Sequence, residues 1–528
     1  MKQFILIVSQ KSAEGKVGQA VGKDIEALPS RKAEQPIGQA GNGDRRPERY
    51  PARGIKEKGK YAARRMSGQR QKNRPEQGVL ACAVENRSDT PKAAEKGTET
   101  LVAKRQSESL AGTERRMEEV CEWENCKQAL QRVKANKGSP GVDGMTVDEL
   151  PEYLKQHKLE IGEQLRNGTY QPQPVKRVEI PKPDGQGVRK LGIPCVLDRF
   201  VQQAVLQVLQ KRWDPTFSEH SHGFRPGRSA QQAVHEAQHY IAEGHRWVVD
   251  LDLEKFFDRV NHDRLLAAVA ERMADKRMLK LIRAFLKAGV MEDGLVSPVA
   301  EGTPQGGPLS PLLSNLVLDE LDRELERRGH HFVRYGDDCN VYVGSERAGQ
   351  RVLESVTRFI THRLKLKVNQ AKSAVARPGQ RKFLGFSFTS EREPRRRIAP
   401  KAIARFKERI RGQTRRTRGI SMRQMVKELA TYLRGWLGYF GDCQTPSVLQ
   451  RLETWLRRRL RSVVWKQWKR GRTRFRELRK RGVGKDLAAQ TAGSPHGPWR
   501  LANSPALTLA LPNAYFAQLG LPPMVVKC

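Results

Sequence analysis

The segment HFVRYGDDCNVYV, residues 331–343, places two adjacent aspartates between runs of β-branched and aromatic residues. Such runs favour strands, and Gly336 supplies the backbone freedom that a tight turn needs. The segment therefore predicts a β-hairpin with Asp337 and Asp338 at its tip. Two like charges beside an apolar sheet repel each other unless a cation compensates them. This hairpin constrains both the fold and the chemistry of the chain.

A third carboxylate follows another β-rich run, RWVVDLDLEKFFDRVNHDRL, residues 246–265. Asp250 and Asp252 have the spacing of residues on one face of a strand, and a helical pattern begins after them. Carboxylate oxygens suit Mg²⁺. Two such ions, about 3.5–4 Å apart, can activate a hydroxyl and stabilise a departing pyrophosphate. If Asp252, Asp337 and Asp338 converge, this metal chemistry is that of nucleotide polymerisation, whereas two aspartates in a turn are by themselves more often part of a solvated loop.

The charge of the chain indicates a polyanionic partner. Its 98 Lys and Arg residues outnumber 58 Asp and Glu residues, which gives a net charge of +40, more than solubility requires. Nucleic acid is the partner that this excess favours. No apolar run reaches the roughly 18 residues of a membrane span, and FILIV near the start is too short for a signal peptide. The seven cysteines include no C-x-x-C pair, which favours reduced thiols in the cytoplasm.

Composition divides the chain into regions. Residues 1–112 are polar and poor in aromatic residues, which predicts a basic, disordered N-terminal extension. This extension is either an RNA-binding arm or lies outside the functional protein, since Met117 opens the first patterned segment. Over 113–395 short β-rich runs alternate with helical ones without a regular βαβ rhythm, which predicts an α+β fold. Basic amphipathic helices are expected over 396–482, followed by a nucleic-acid-binding tail over 483–528.

Several motifs occur in an order that resembles a known family. Together they resemble the successive blocks of group II intron-encoded reverse transcriptases, and LRGWLGYFG at 433–441 resembles the maturase, or X, block of that family. The C-terminal end resembles the compact bacterial class C members, which lack the endonuclease domain. The other blocks are VEIPKPDGQGVRKLGIPCVLDRFVQQAV (178–205), HSHGFRPGRSA (220–230), the Asp252 run, EGTPQGGPLSPLLSNLVLDELD (301–322), the Asp337 hairpin, LKLKVNQAKS (364–373) and FLGFSF (383–388).

The resemblance implies a right-hand polymerase fold. Residues 113–395 would form fingers and a palm with an antiparallel sheet, and 396–482 a helical thumb and maturase domain. The implied activity is RNA-directed DNA polymerisation with two Mg²⁺ ions, dNTPs, template RNA and a DNA target or primer. The chain would also bind its group II intron RNA and assist splicing and retromobility by target-primed reverse transcription. It would not cut the second DNA strand itself.

The resemblance implies that Asp252, Asp337 and Asp338 are the metal-binding triad, and it also implies roles for the residues around them. Lys372 matches a lysine near the leaving pyrophosphate, a possible general acid, with a solvated turn residue as the equal alternative. Phe257 matches the sugar selector, whose ring excludes a 2′-hydroxyl and favours dNTPs. The residues that would bind the nucleotide are Lys182, Arg189, Phe257 and Gln305. Arg225 would position template or fold the fingers.

The basic helices suggest an RNA surface. Leucine, valine and tryptophan recur at helical spacing over 451–482, with arginines between them. Arginine faces attract phosphate and aromatic rings can stack on bases, although tryptophan at helical spacing is more often a core residue. The expected RNA-binding residues are Arg434, Trp436, Arg457, Arg458 and Arg461.

Three alternative functions stay open. An RNA-dependent RNA polymerase is suggested by Gly336, where the family more often has alanine, but Phe257 argues against it. A splicing cofactor without polymerase activity is disfavoured by the intact triad. A domesticated antiviral-defence reverse transcriptase is disfavoured by the maturase-like block at 433–441.

Overall fold

The computed structural model of the chain describes residues 116–525 apart from 182–186, 293, 299–300 and 304–305. All of these belong to one compact unit. The predicted N-terminal extension, Lys182 and Gln305 lie outside the described residues. Within the described part, no helix is long and apolar enough to cross a membrane.

The N-terminal part combines helices with a small sheet. Helix α4 is buried on most of its sides and packs against α1 and α2, and its buried residues include Asp198, Gln202 and Gln203 beside the apolar ones. The sheet has the strand order β2-β1-β4-β5. These elements are α1 (Arg116–Cys121), α2 (Trp123–Asn136), α3 (Leu150–Arg166), β1 (Val175–Pro181), β2 (Val188–Ile193), α4 (Val196–Trp213), β4 (Val290–Glu292) and β5 (Leu295–Ser297).

A four-stranded antiparallel sheet forms the centre, in the order β6-β7-β3-β8. Helix α5 begins with a capping box at Ser229, whose side chain accepts a hydrogen bond from the Gln232 backbone. The elements are α5 (Ala230–Ala242), β3 (Trp247–Leu251), α6 (Phe256–Arg259), α7 (His262–Arg272), α8 (Lys276–Lys287), α9 (Ser310–Arg327), β6 (His331–Tyr335), β7 (Asp338–Val343), α10 (Glu346–His362) and β8 (Ala374–Ala376).

Both faces of the central sheet are buried, each in a different core. Val249 and Val341 face the core built with the N-terminal helices. Val248 and Tyr342, one residue along each strand, face the core built with the C-terminal helices. This follows from the period of two along a strand. Apart from the parallel pair of β1 and β4, the strands described pair antiparallel, and this mixture of helices and largely antiparallel sheets confirms the predicted α+β class.

The C-terminal part is helical after a small hairpin. Its two strands, β9 and β10, are antiparallel and pair across the predicted boundary at 395–396. The elements are β9 (Phe386–Phe388), β10 (Arg396–Ile398), α11 (Pro400–Gln413), α12 (Met422–Phe440), α13 (Pro446–Gln467), α14 (Gly471–Lys480), α15 (Lys485–Gly493), α16 (Pro498–Leu501), α17 (Pro505–Ala510) and α18 (Asn513–Gln518).

A fully buried ion pair anchors the β6–β7 hairpin. Arg334 on β6 and Asp322 on α9 both have 0% exposed side chains, and they form two parallel bonds of 2.7 and 2.5 Å. The same guanidinium donates to the Gly336 carbonyl at 3.0 Å and to the Asn315 side chain at 2.9 Å. Burial lowers the pKa of Arg334, but attraction to Asp322 outweighs it, so the pKa is raised and the charge is kept. The arginine thus ties the turn to α9.

We expect Arg334→Met to lower the free energy of unfolding by about 3–5 kcal/mol, because it leaves the Asp322 charge buried and unpaired. The double variant Arg334→Met/Asp322→Leu should lose less, since no unpaired charge remains. Guanidinium denaturation measures both. Arg395→Ala, which removes the exposed ion pair with Glu391, should leave the midpoint unchanged. Equal losses in the single and double variants would contradict this account.

Candidate active site

The paired aspartates lie where the sequence predicts them, at a tight hairpin turn. Gly336 and Asp337 form the turn, and Asp338 is the first residue of β7, paired with Tyr335. Gly336 has φ of +66°, the positive value that a two-residue turn with glycine first requires. Both carboxylates are therefore presented at the end of the central sheet.

Asp252 follows β3 directly and its backbone is held on both sides. Its N–H donates to the Ser373 hydroxyl at 3.0 Å, and its carbonyl accepts from the Asn369 N–H at 2.8 Å. These bonds bring the 369–373 loop against the strand end. The exposed Lys372 ammonium lies 3.3 Å from an Asp252 carboxylate oxygen. Asp252 and Lys372, which were predicted separately as catalytic residues, are thus in contact.

The three predicted carboxylates repel one another. Burial raises the pKa of Asp337 and the charge of Asp252 raises it further, while Arg189 on β2 acts in the opposite direction. Desolvation by the surrounding protein and the charges of Asp337, Asp250 and Asp252 raise the pKa of Asp338 to about 7. Asp338 nevertheless keeps exposed surface. We therefore attribute its raised pKa mainly to repulsion by the neighbouring carboxylates. Hard oxygen donors with uncompensated charge fit a divalent cation.

A fourth carboxylate nearby, Asp250, has its own partner. Its oxygen lies 2.6 Å from the Arg381 guanidinium, which also donates to the Lys372 carbonyl. Burial raises the pKa of Asp250, and Arg381 opposes that rise. The sequence places Asp250 on the face of Asp252 but does not reveal Arg381, which lies 131 residues away. Arg381 therefore links the base of the triad to the Lys372 loop.

The segment 220–225 packs closely against the turn at Gly336 and Asp337. A Cβ atom on Gly223 would lie 2.1 Å from the Gly336 nitrogen, and one on Gly336 would lie 2.8 Å from the Phe224 ring. Arg225 is buried and donates to Asp214 at 3.0 Å and to the Ser221 carbonyl at 2.9 Å. Of the two roles considered for Arg225, these bonds favour folding over template contact.

The described nucleotide-binding candidates lie around the triad. Arg189 is exposed on β2, near enough for its charge to act on Asp337. Phe257 is half-buried while Phe256 is in the core, and their rings meet edge to face at 5.2 Å. The Phe257 carbonyl accepts from the Thr303 N–H at 2.6 Å. Phe256, not Phe257, is the core phenylalanine, as the sequence suggests.

Two of the predicted RNA-binding residues are corrected by their burial. Trp436 has 9% exposed surface and its ring packs 4.4 Å from that of Phe406, so it belongs to the core. Arg461 has 9% exposed surface and donates to the Leu511 carbonyl at 3.0 Å. Its guanidinium is therefore bonded within the fold. In both cases the helix turns the side chain inward, which the spacing of arginines did not reveal.

The other predicted RNA-binding residues stay at the surface. Arg434 is exposed on α12, and Arg457 is half-buried beside Glu453 at 2.7 Å. Arg458 lies 4.2 Å above the Trp499 ring and donates to the Trp499 carbonyl at 3.1 Å. Trp499 is 40% exposed. The sequence analysis missed this tryptophan, although the arginine and ring form the kind of platform on which bases stack.

Comparison with protein families agrees with this geometry. Residues 180–388 match the family described as reverse transcriptase (RNA-dependent DNA polymerase), and residues 403–482 match the group II intron, maturase-specific domain. The chain thus carries a reverse transcriptase domain followed by a group II intron maturase-specific domain. The first match contains all three aspartates of the triad, and the second contains α12 and α13. The resemblance drawn from the motifs is confirmed.

Individual relatives cover parts of this reverse transcriptase and maturase. It is 39% identical to protein YkfC of Escherichia coli over 39% of the chain, and 30% identical to the group II intron-encoded protein LtrA of Lactococcus lactis over 50%. The chain spans 55% of the length of each of these relatives. A solved partial Cas6-RT-Cas1–Cas2 complex shares 26% identity over 46% of the chain and 42% of that chain, with a TM-score of 0.31.

We expect Gly223→Ala to slow RNA-templated DNA synthesis about 100-fold, because the added methyl group must displace the catalytic turn and misplacement by about 1 Å has that order of effect. Primer extension at saturating dNTP measures the rate. Gly344→Ala, at the far end of β7, is the matched control: nothing lies within 4 Å of its Cβ position. A Gly223→Ala rate equal to that of Gly344→Ala would show that the contact does not position the turn.

Proposed function

We propose that the chain is an RNA-directed DNA polymerase with the right-hand arrangement. The central sheet with Asp252, Asp337 and Asp338 is the palm, the β1–β2 hairpin with Arg189 belongs to the fingers, and the helices from α11 onward are the thumb and maturase region. The observation that carries this proposal is the convergence of three mutually repelling carboxylates at one end of an antiparallel sheet. The reverse transcriptase match over the same residues supports it.

The donor set favours Mg²⁺ as the cation. Asp252, Asp337 and Asp338 offer hard oxygen atoms without imidazole or thiolate, the chemistry that Mg²⁺ prefers. Two bound Mg²⁺ ions would supply activation of the primer hydroxyl and stabilisation of the leaving group. Arg189 would bind the triphosphate, and the Lys372 ammonium would give a proton to the departing pyrophosphate. Its ion pair with Asp252, with 3.3 Å between nitrogen and oxygen, supports this role.

We also propose that the chain binds a group II intron RNA and assists its splicing and its mobility by target-primed reverse transcription. The match to the maturase-specific domain supports RNA binding by α12 and α13. Arg434, Arg458 and Trp499 are the surface residues that we assign to it. Template RNA, a DNA primer and dNTPs are the further partners. The free Cys121, Cys126, Cys195, Cys339 and Cys443 are compatible with the cytoplasm that we assign as its location.

We expect Asp337→Ala to abolish DNA synthesis, because it removes a metal-binding carboxylate, while affinity for group II intron RNA stays unchanged. Primer extension and filter binding at fixed salt measure the two activities. The opposite pattern is expected for Arg434→Ala/Arg458→Ala: synthesis on a short primer and template is kept and RNA affinity falls at least tenfold. Undiminished synthesis by Asp337→Ala would refute the metal assignment. Unchanged RNA affinity in the double variant would refute the assignment of Arg434 and Arg458 to the RNA-binding surface.

We expect the unaltered chain to use dNTPs at least 100-fold more efficiently than NTPs, and Phe257→Ala to admit NTPs by removing the ring that excludes the 2′-hydroxyl. The ratio of kcat/KM values for dGTP and GTP on one RNA template measures the selectivity. Phe359→Ala, on α10, is a control with a ring removed elsewhere and should keep the preference for dNTPs. Equal use of both nucleotides by the unaltered chain would favour an RNA-dependent RNA polymerase instead.

A further inference from the structure

A second group of metal-ligating side chains lies at the opposite end of the central sheet from the aspartate triad. In the part of the chain that the structure describes, ligand atoms of Glu243, His245 and His331 all lie within 4.8 Å of one another. The rings of His245 and His331 are 4.3 Å apart. His331 begins β6 and Asp337 follows its end, so the two sites are roughly 20 Å apart along the strand. The polymerase chemistry does not use this group.

The backbone holds these three ligands on rigid elements. Helix α5 ends in a turn in which the His245 N–H donates to the Tyr240 carbonyl at 3.1 Å and the Gly244 N–H to the Ile241 carbonyl at 3.2 Å. This is the Schellman arrangement, and Gly244 has the φ of +107° that it needs. His331 is paired with Tyr342 of β7. Because α5 also packs against β6, Glu243 and His245 are held close to the first residue of that strand.

We propose that Glu243, His245 and His331 form a binding site for a divalent transition metal ion, Zn²⁺ in particular. Two imidazoles with one carboxylate suit Zn²⁺ and its neighbours, whereas Mg²⁺ prefers oxygen donors alone. A tetrahedral Zn²⁺ ion separates its ligand atoms by roughly 3.3 Å, so modest side-chain rotation closes the site. The bound ion would join the end of α5 to β6 and leave a fourth position for water.

The surroundings are compatible with an ion at this position. Burial and the neighbouring His331 lower the pKa of His245, while Glu243 acts in the opposite direction. The ring of Tyr240 lies 5.0 Å from that of His331 and limits its rotation. His239 competes for Glu243, since its Nε2 lies 3.2 Å from one carboxylate oxygen. Glu243 binds the ion either through its other carboxylate oxygen or after its side chain has rotated away from His239.

Calorimetric titration of the full chain with ZnCl₂, in a buffer with excess MgCl₂ to occupy the aspartate triad, tests the proposal. We expect one Zn²⁺ per chain, with affinity at least tenfold lower in His331→Ala and in His245→Ala. His362→Ala removes an exposed histidine at the end of α10 and should bind as the parent does. Asp337→Asn should also bind one Zn²⁺, which separates this site from the aspartate triad.

A second measurement guards against misfolded variants. Without Zn²⁺, the parent, His331→Ala and His362→Ala should unfold at the same midpoint temperature. Added Zn²⁺ should raise this temperature for the parent and for His362→Ala, but not for His331→Ala. Unchanged affinity in both histidine variants would overturn the proposal. So would loss of binding in Asp337→Asn, which would assign the ion to the triad, or equal weakening in His362→Ala, which would indicate unspecific histidine binding.

Discussion

The hairpin that carries Asp337 depends on one buried guanidinium. Arg334 lies beneath the turn without exposed surface, bonded at once to Asp322 and to the Gly336 carbonyl. A charge in that position is stable only while every donor has an acceptor. The position of the turn is therefore coupled to α9 and, through Ser221 at 2.7 Å, to the segment that backs the turn. The position of the turn that carries Asp337 and the stability of the core therefore both depend on the Arg334 guanidinium.

Charge compensation differs among the carboxylates around the β6–β7 hairpin. Asp322 and Asp250 each have an arginine partner, Arg334 and Arg381, within hydrogen-bonding distance. Asp337 and Asp338 have neighbouring carboxylates instead, and their pKa values are raised. A divalent cation relieves that repulsion, whereas it would have to displace an arginine at the other two positions. This difference supports the proposed metal-binding role of Asp337 and Asp338, whereas the third proposed ligand, Asp252, has the exposed Lys372 ammonium at 3.3 Å.

The central sheet joins the two functional regions because both of its faces are buried. One face packs on the N-terminal helices and the other on the maturase-region helices, through residues that alternate along each strand. Asp250, Asp252 and Asp338 share the second face by the same alternation, since Asp250 pairs with Asn340 and Val248 with Tyr342. The candidate active site and the maturase helices therefore lie on one side of the sheet.

Local pattern in the sequence was enough to predict the hairpin, the strand face of Asp252 and the change to helices after about 400, because these depend on periods of two and 3.6 and on a glycine turn. It was also enough to place Asp252, Asp337 and Asp338 in one site once the order of the motifs was recognised. Only the tertiary structure decided which basic and aromatic side chains face inward. Trp436 and Arg461 are core residues because of how α12 and α13 rotate against their neighbours, a property of packing between distant segments. Arg381 reaches Asp250, and His331 reaches His245, for the same reason: contacts across many residues of chain depend on the assembled fold and leave no local signal.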